Sequence, residues 1–473
     1  MTRHLPLIVD LDGTLLRTDT LAEAIVTGLF SDPVKVATAG LLIHEGRPQL
    51  KRRLSAVELD IASLPVREDF LEYLKEQKAG GRDVHLVTAA DQAIADRVAG
   101  HFGLFDTATG TTGDVNLKGA NKQAHLRERF PDGYVYAGDS SADHAVWRDA
   151  DGIVLAGASA STAAAAEALG KPVEGRFDSE PVTFKTWRKA LRLHQWSKNL
   201  LIIAPLLLSG LYMQTASIMA ALVAFVALGL AASGTYLLND LADLPADRRH
   251  RSKRFRPLAA GTLPVHHALA ASIVLIAAGL AAAAAINLQL LGALILYLAT
   301  TLSYSFGLKR KPVVDVLILA SLFTLRLLIG IAAIGAELSY WLMSFSMFFF
   351  LSLSLAKRHV EICAAEPGTR LNGRGYVAED GPFTLGVGLA SGMAAIVILC
   401  LYVMEDAFTM ARYAAPVFLW AAPALIGAWT LRIWLLAHRG ELDDDPVAFA
   451  VHDRISWALG GLLALAFLAA SAL

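Results

Sequence analysis

The sequence has few cysteines and almost no net charge. Its two cysteines among 473 residues, Cys363 and Cys400, give neither a disulfide framework nor the paired spacing of a zinc site. A formal net charge of -1 produces no overall field that would attract nucleic acid, so we expect no nucleic-acid partner. The start, MTRHLPLIVDLDGT, lacks the apolar stretch and the small-residue cleavage site of a secretory signal. We therefore expect the N-terminal half to stay in the cytoplasm.

Apolar residues are abundant, and the long apolar runs are confined to one part of the chain. The apolar fraction is 55% and the mean hydropathy is +0.47, which is too apolar for an ordinary soluble protein. The runs begin near residue 199 and repeat to the end of the sequence. We predict a soluble domain over 1–175, a linker with a basic, interfacial amphipathic helix over 176–197, and a membrane domain over 198–473.

The membrane domain is predicted to be all-helical, because its runs have roughly the ~20 residues that cross a bilayer. The nine predicted transmembrane helices lie near 199–213, 217–238, 266–287, 288–306, 313–335, 338–356, 382–404, 413–435 and 453–472. Lys and Arg crowd the segment before the first helix and every second connection after it, whereas LYMQTA and GAELSY carry almost none. Because basic loops stay cytoplasmic, we expect a multi-pass protein of the cell (inner) membrane, with its N-terminus inside and its C-terminus outside.

In the first 175 residues, apolar β-branched runs alternate with helical stretches. LPLIVDLDGTL, DVHLVTAA and GYVYAGDSSADHAVW each end in small or acidic residues. This alternation predicts an α/β domain with a parallel sheet covered on both faces and with its chemistry at the carboxyl ends of the strands. Asp10, Asp12, Asp139 and Asp143 would meet there, and four neighbouring carboxylates imply a bound Mg²⁺.

These motifs resemble those of the haloacid dehalogenase superfamily, which has a DxDGT motif, then a Thr or Ser, a Lys and a GDxxxD motif. The resemblance covers about residues 1–170 and implies a Rossmann-like phosphatase, with residues 15–80 forming a small helical cap. It implies that Asp10 is the nucleophile, that Asp12 is the general acid/base and that Thr88 holds the phosphoryl group.

The same resemblance implies a metal site and a lysine. The residues expected at the Mg²⁺ site are Asp10, Asp12, Asp139 and Asp143, the last in a supporting role. NLKGANKQAHL offers two candidates for the lysine, Lys118 and Lys122, and we prefer Lys122.

Charge of both signs crowds the end of the second apolar run, in NDLADLPADRRHRSKRFRP. Asn239, Asp243 and Asp247 lie at helical spacing, and Asp240 lies one residue off the same stripe. Like charges at this spacing repel, and ionisable groups at membrane depth are rare and usually functional. The stripe is tolerable if it binds Mg²⁺ that is shared with substrate phosphates. The cations expected to help bind those phosphates are Lys253, Arg254 and Arg256.

NDLADLPADRRH resembles the NDxxDxxxD motif of the UbiA family of intramembrane prenyltransferases, and the resemblance covers about residues 185–473. Most of that family has a second acidic motif, commonly DxxxD, but YSFGLKRKPVVDVLILASLFTLRLLIG has Asp315 and then Leu319. Together with QWSKN and AKRHVE, this stretch is more similar to the decaprenyl-phosphate phosphoribosyltransferase branch. That branch uses polyprenyl phosphate as acceptor and phosphoribosyl pyrophosphate as donor.

The resemblance implies that Asn239, Asp240, Asp243 and Asp247 bind Mg²⁺ and that the three acids act in catalysis. The residues expected to bind substrate are Lys198, Asn239, Lys253, Arg254, Arg256, Lys309, Asp315, Arg326, Lys357 and Arg358. Arg326 lies within an apolar helix, where an unpaired cation is costly. Lys309, Lys357 and Arg358 can equally be ordinary basic residues of cytoplasmic loops. Arg374 and Tyr376 also resemble the branch, but no role follows for them.

The two resemblances predict a bifunctional membrane enzyme. The membrane domain would transfer 5-phosphoribose to polyprenyl phosphate, and the soluble domain would remove the 5-phosphate to give polyprenyl-phosphoryl ribose, a pentose donor for cell-surface glycans. One alternative is an aromatic prenyltransferase of quinone or haem biosynthesis. Another is a transporter or lipid-binding protein with a regulatory soluble domain. The length of the polyprenyl chain and the oligomeric state stay open.

Overall fold

The structure, a computed structural model, describes residues 5–41, 47–55, 57–112, 116–366, 368–369, 371, 374–407, 413–442 and 446–472. Its contacts divide the chain into two compact units. The first unit contains residues 1–192 and 236–273, and the second contains residues 193–235 and 274–473. The first unit therefore includes the stretch NDLADLPADRRHRSKRFRP, which hydropathy alone assigns to the membrane domain.

The first unit contains a six-stranded, all-parallel sheet with the strand order β3-β2-β1-β4-β5-β6. The strands are β1 Leu7–Val9, β2 Val84–Asp91, β3 Thr107–Thr111, β4 Val135–Gly138, β5 Gly152–Ala156 and β6 Val173–Phe177. In the central strand β1, Leu7 and Val9 pack in one hydrophobic core, and Ile8 packs in another. Because alternate side chains of a strand point to opposite faces, the sheet has a core on each face, as parallel sheets require. The predicted parallel sheet with helices is confirmed.

Nine helices of the first unit accompany the sheet. They are α1 Thr20–Ser31, α2 Pro33–Leu41, α3 Arg47–Leu54, α4 Glu68–Ala79, α5 Gln92–Phe102, α6 Ala120–Arg129, α7 His144–Asp149, α8 Ala160–Glu167 and α9 Phe184–Ala190. The first four lie between β1 and β2 in the chain, within the segment predicted as a helical cap. Asp19 caps α1, since its side chain accepts a hydrogen bond from the backbone N–H of Ala22.

The remaining helices include long apolar ones. They are α10 Ile203–Leu208, α11 Thr215–Ala242, α12 Leu244–Arg249, α13 Val265–Ile286, α14 Leu288–Phe306, α15 Val314–Ile334, α16 Tyr340–Cys363, α17 Gly381–Tyr402, α18 Ala421–His438, α19 Pro446–His452 and α20 Arg454–Ala472. In the described part of the chain, eight helices are long and apolar enough to cross a membrane. The chain is thus a multi-pass membrane protein, as predicted.

The predicted count of nine transmembrane helices is not confirmed. The first predicted span, 199–213, is a 3₁₀ helix over Leu193–Ile202 followed by the six-residue α10 and a second 3₁₀ turn over Leu211–Met213. Gly210 precedes that turn with a left-handed φ of 74°, a conformation that suits glycine and interrupts the helix. Hydropathy predicts the apolar character of this segment but not the points at which its helix is interrupted.

Close packing in the second unit depends on small residues. A Cβ atom on Gly388 of α17 would lie 2.1 Å from the ring of Trp434 in α18. The Ser352 hydroxyl of α16 donates to the Gly388 carbonyl at 2.7 Å and accepts from Trp434 Nε1 at 2.9 Å. These contacts fasten three membrane helices together, as expected where small residues let helix backbones approach and polar groups bond between helices.

Candidate active sites

Charged side chains meet at the carboxyl edge of the parallel sheet. Asp10 follows β1, and Asp139 follows β4. The Lys122 ammonium lies 2.9 Å from Asp10 Oδ1 and donates to the Tyr136 hydroxyl at 2.8 Å. Lys118 is exposed on the turn before α6. Of the two candidate lysines, the structure places Lys122 against Asp10.

The turn after Asp10 needs glycine at position 13. Its φ is +81°, and a Cβ atom there would lie 2.2 Å from Asp139 Oδ2. Arg67, a buried residue that belongs to none of the sequence motifs, donates to the carbonyls of Gly13 and Thr14, at 3.1 Å each. Arg67 thereby fastens the turn where it passes Asp139.

Asp143 is held by donors on several sides. It accepts hydrogen bonds from the Tyr136 hydroxyl at 2.9 Å, from Ser140 N at 3.0 Å and from Ser140 Oγ at 2.8 Å. It also accepts from the backbone N–H of Asp139 at 3.3 Å. Asp143 therefore orients the Asp139 loop, in keeping with the supporting role expected from the sequence.

Three carboxylates are close enough to bind one metal ion. Asp10, Asp139 and Asp143 each offer an oxygen within 4.8 Å of the others, the one such group within the described residues. Burial raises the pKa of Asp139 well above its ordinary value, and the carboxylates of Asp143 and Asp10 raise it further. Burial also raises the pKa of Asp10, against the opposing charge of Lys122. A divalent cation would remove this repulsion, and carboxylate oxygens are the donors that Mg²⁺ prefers, so the residues fit the ion.

Asp12 lies outside this group and has a different environment. Its carboxylate accepts from Thr20 N at 2.8 Å and from Thr20 Oγ1 at 3.2 Å. Burial raises the pKa of Asp12 to about 7, and the charges of Asp19 and Asp10 add to the effect. A carboxyl group with a pKa near 7 can donate and accept a proton at neutral pH. This environment suits a general acid/base better than a metal ligand.

One neutral and one basic side chain lie near the same edge of the sheet. Thr88 is fully buried, and its hydroxyl accepts a hydrogen bond from Ala90 N at 3.0 Å. Lys51 of α3 donates to the Ala89 carbonyl at 2.5 Å and to Asn116 Oδ1 at 3.0 Å. Lys51 is not among the predicted site residues, although the basic run KRR within the predicted helical cap was a possible signal. It brings a cation of the helical segment to the backbone of Ala89, the residue after Thr88.

The acidic stripe continues across a helix break. α11 ends at Ala242, and Asp243 is the N-cap of the six-residue α12. Asp243 N donates to Asn239 O at 2.9 Å, and Asp247 N donates to Asp243 O at 2.8 Å, so the helical spacing persists. The Asn239 side chain also donates to Asp243 Oδ2 at 3.2 Å. The predicted alignment of these residues is therefore present despite the break.

Basic side chains lie against the buried acids of the stripe. Asp240 is 4% exposed and Asp247 is 2% exposed. Arg256 Nη1 bridges them, at 3.2 Å from Asp240 Oδ1 and 2.5 Å from Asp247 Oδ2. Arg192, from the basic segment before the first span, lies 2.5 Å from Asp240, and Lys253 lies 3.8 Å from Asp247. The predicted acids and bases meet here as ion pairs.

One predicted cation lies apart from these acids, and one cation that was not predicted lies against them. The Arg254 guanidinium stacks over the Phe255 ring at 4.8 Å, on the exposed side of the turn. Arg192, which lies in the predicted interfacial helix over 176–197, has a left-handed φ of 51°. Its contact with Asp240 was the unpredicted one.

A buried arginine lies among neutral partners in the second unit. Arg326 of α15 is 6% exposed and donates to Leu322 O at 2.6 Å, to Tyr297 OH at 3.1 Å and to Asn199 Oδ1 at 3.3 Å. Among the described residues, no carboxylate pairs with it, and the Asn199 Nδ2 atom is buried without a hydrogen-bond partner. Lys198 lies over the ring of Phe323, at 5.8 Å, and Arg326 lies over the same ring at 5.1 Å. The three acceptors of the Arg326 guanidinium are therefore all neutral.

Asp315 and Arg358, both predicted to bind substrate, bind one another. Both side chains are fully buried, with Arg358 Nε 3.0 Å from Asp315 Oδ2. The Tyr376 hydroxyl donates to Asp315 Oδ1 at 2.8 Å and accepts from Val313 N at 2.8 Å. Arg358 also pairs with Glu361. No role for Tyr376 follows from the sequence alone.

The remaining two predicted cations lie at the ends of these elements. Lys309 lies in the 3₁₀ turn Leu308–Arg310 before α15, and Lys357 precedes Arg358 in α16. Both are partly exposed.

Comparison with known proteins identifies the second half of the chain. The model of the UbiA prenyltransferase family matches residues 202–459. The chain is 43% identical over 472 residues to the uncharacterized protein y4nM of Sinorhizobium fredii, covering 99% of this chain and 91% of that protein. It is 33% identical over 288 residues to the decaprenyl-phosphate phosphoribosyltransferase of Mycobacterium tuberculosis, covering 59% of this chain and 91% of that protein.

Among solved structures, the chain is similar to a UbiA homolog from Archaeoglobus fulgidus bound to GPP and Mg²⁺. The identity is 19% and the TM-score is 0.46, with 60% of this chain and 98% of that chain covered.

Proposed function

The chain belongs to the UbiA prenyltransferase family, and from this premise we propose that it is a phosphoribosyltransferase joined to a phosphatase. Its membrane domain transfers 5-phosphoribose from phosphoribosyl pyrophosphate to a polyprenyl phosphate. The observation that carries this proposal is the cation at Arg326, buried among neutral partners, together with an Asp315 that is already paired with Arg358. The chain thus offers one acidic stripe in the first unit and surplus positive charge in the second unit. Together these groups suit a substrate with three phosphates and a second substrate that is itself a phosphate. The name of the Mycobacterium tuberculosis relative supports the same choice.

We assign the diphosphate of the sugar to the acidic stripe. Asp240 and Asp247, with Asn239 and Asp243, have the hard oxygen donors that suit Mg²⁺, which when bound would draw negative charge from the leaving diphosphate. Arg256 now bridges the two buried acids, and it would turn to the diphosphate oxygens as they arrive. Lys253 lies beside it and would contribute a second positive charge.

The transfer requires no strong base. An ionised oxygen of the lipid phosphate attacks the anomeric carbon, the bond from that carbon to the diphosphate oxygen breaks, and pyrophosphate leaves with its electron pair. Arg326 and Lys198 would hold the lipid phosphate or the 5-phosphate in place by charge-assisted hydrogen bonds. Lys309 and Lys357 would supply further charge to these anions.

We propose that the N-terminal α/β domain belongs to the haloacid dehalogenase superfamily and removes the 5-phosphate of the product. Asp10 attacks the phosphorus, and the ribose oxygen leaves with a proton from Asp12. Asp12 then takes a proton from the water that hydrolyses the aspartyl-phosphate. A Mg²⁺ held by Asp10 and Asp139 would neutralise charge on the phosphoryl group. Lys122 would stabilise the Asp10 carboxylate, and Thr88 would bind the phosphoryl oxygens.

The N-terminal domain would work on the cytoplasmic side of the inner membrane, where phosphoribosyl pyrophosphate is available. The alternation of basic and neutral connections supports this orientation. The product would be polyprenyl-phosphoryl ribose, a lipid-linked pentose for cell-surface glycans.

The test is a reconstitution of the purified full chain with labelled phosphoribosyl pyrophosphate, polyprenyl phosphate and Mg²⁺, followed by mass spectrometry of the lipids. We expect a ribose-bearing lipid without a 5-phosphate from the wild type and with a 5-phosphate from the Asp10→Asn variant. A wild-type product that keeps its 5-phosphate would refute the coupling of the two activities. Transfer of a prenyl chain to an aromatic acceptor would favour the prenyltransferase alternative. A protein that turns over neither set of substrates and is unaffected by Asp240→Asn would favour the transporter alternative.

A further inference from the structure

A buried ion pair joins the acidic stripe to the N-terminal domain within the first unit. Arg248 follows Asp247 directly in α12, and its guanidinium forms two bonds to Glu23 of α1, at 2.6 and 3.2 Å. The side chains are 6% and 2% exposed. Thr18 Oγ1 also donates to Glu23, at 2.6 Å. Neither Glu23 nor Arg248 has a part in the two reactions described above.

The segment after the acidic stripe is docked closely at a second point. A Cβ atom on Gly261, whose φ is +72°, would lie 2.9 Å from Arg17 Cβ and 3.0 Å from Pro65 Cγ. Arg249 pairs with Asp60, a contact that is largely exposed, at 68% and 31% for the two side chains. The helical segment between β1 and β2 thus carries the partners of Arg248, Arg249 and Gly261.

The short helix that carries Asp247 depends on such anchors. α12 has six residues, and a helix this short has little stability of its own. Pro245, near its start, donates no backbone hydrogen bond. The direction of the Asp247 carboxylate therefore depends on what fixes α12, and Arg248 is its buried anchor on the side of α1.

The same turn of α1 also contacts Asp12 of the proposed phosphatase site. Thr20, three residues before Glu23, holds both oxygens of Asp12. One helical turn thus contacts the proposed general acid/base of one reaction and, through Arg248, the proposed metal-binding acids of the other.

We propose that Glu23, in the N-terminal domain, is a positioning residue for the transferase, which holds Asp247 in its working direction through the buried pair with Arg248. This inference rests on the proposed function of the acidic stripe. It makes the N-terminal domain a structural part of the transferase site as well as a second enzyme, so transfer would depend on that domain even when its phosphatase reaction is silent.

The experiment compares four variants of the full chain in detergent or nanodiscs: Glu23→Gln, Arg248→Gln, the double variant, and Arg249→Gln as the matched control. Losing one partner of a buried pair is costly, whereas an exposed pair contributes little. We expect each buried variant to lower kcat/KM for transfer by about tenfold or more and to raise the Mg²⁺ concentration for half-maximal rate. The double variant should lose no more than the worse single variant, because both remove one interaction. Arg249→Gln should stay within about twofold of wild type.

Hydrolysis of a small phosphate ester provides the internal reference. Arg248→Gln should retain it, because Glu23 keeps its bond from Thr18 and the Asp12–Thr20 contacts are unchanged. Normal transfer by folded Glu23→Gln, or losses that add in the double variant, would overturn the proposal. If Glu23→Gln fails to fold, Glu23→Asp keeps the charge and shortens its reach, and unchanged transfer by that variant would be equally decisive.

Binding of inorganic pyrophosphate with Mg²⁺, measured by calorimetry, separates this inference from the proposed function. The heat of pyrophosphate binding that is lost in Asp247→Asn defines the share of binding that is due to the acidic stripe. We expect Glu23→Gln to weaken that binding by about tenfold, and unchanged affinity would overturn the positioning role. A wild-type chain that binds pyrophosphate through Asp247 but transfers no phosphoribose would refute the proposed function alone.

Discussion

The two candidate sites of the first unit neutralise their carboxylates in different ways. At the edge of the sheet, Asp10, Asp139 and Asp143 share one nearby lysine, and burial raises the pKa of Asp139. In the acidic stripe, Asp240 and Asp247 each contact an arginine. The first arrangement has an excess of negative charge that calls for a cation. In the second arrangement the buried acids are already paired, so binding of the proposed metal and diphosphate would require Arg256 to move.

This difference predicts that the two sites respond separately to substitution. The largest effect is expected for Asp10→Asn, because it removes the proposed nucleophile. Phosphatase activity should fall by at least about a thousandfold, while transfer continues. Mass spectrometry of the lipid product checks this, with Lys118→Met as control, since Lys118 is exposed and should matter little. Equal loss of both activities would contradict the separation.

Asp247→Asn is expected to have the next largest effect. It removes a proposed metal ligand and leaves Arg256 with one carboxylate in place of two. Transfer should fall by about a hundredfold, with hydrolysis of a small phosphate ester unchanged. A Mg²⁺ titration of both rates measures the effect. Full transfer at ordinary Mg²⁺ concentrations would show that the stripe is not the metal site.

Arg326→Met tests the proposed anion site of the second unit. Loss of charge-assisted bonds to a phosphate should cost about 2 kcal/mol, roughly a thirtyfold rise in KM for one of the two substrates. Steady-state kinetics with each substrate varied in turn identifies which one. Arg439→Met, at an exposed position, is the matched control. If KM is unchanged for both substrates, the buried cation serves the fold and not the ligand.

The smallest effect is expected for Tyr376→Phe. The Tyr376 hydroxyl links Asp315 to the Val313 backbone, which has a strained φ of 67°. Its removal should cost about 1–2 kcal/mol of stability and leave the KM values unchanged. Thermal unfolding of the full chain measures this, with Tyr340→Phe as a control at a 78% exposed position. A raised KM with unchanged stability would place Tyr376 in the binding site.

The parallel sheet and the long apolar helices could be predicted because they follow local patterns. Alternating side chains of β1, such as Leu7 and Ile8, and uninterrupted runs such as α11 carry their own signal. The interruptions of the apolar helices could not be predicted in this way. Gly210, for example, ends a helix through its backbone conformation, which hydropathy does not report. The predicted span over 199–213 is not confirmed for that reason.

Within the sites, motif residues could be predicted and their partners could not. The helical spacing of Asn239, Asp243 and Asp247 is visible in the sequence, and the structure has it. The pairing of Asp315 with Arg358 joins residues far apart in the chain, so spacing could not reveal it. The Arg248–Glu23 pair is a tertiary contact of the same kind.

The most direct test of the central claim is calorimetry of the full chain with Mg²⁺, titrated with phosphoribosyl pyrophosphate and separately with a prenyl diphosphate. Binding of the sugar diphosphate that disappears in Asp247→Asn is the predicted result. Binding of the prenyl diphosphate alone, with no heat from the sugar diphosphate, would contradict it.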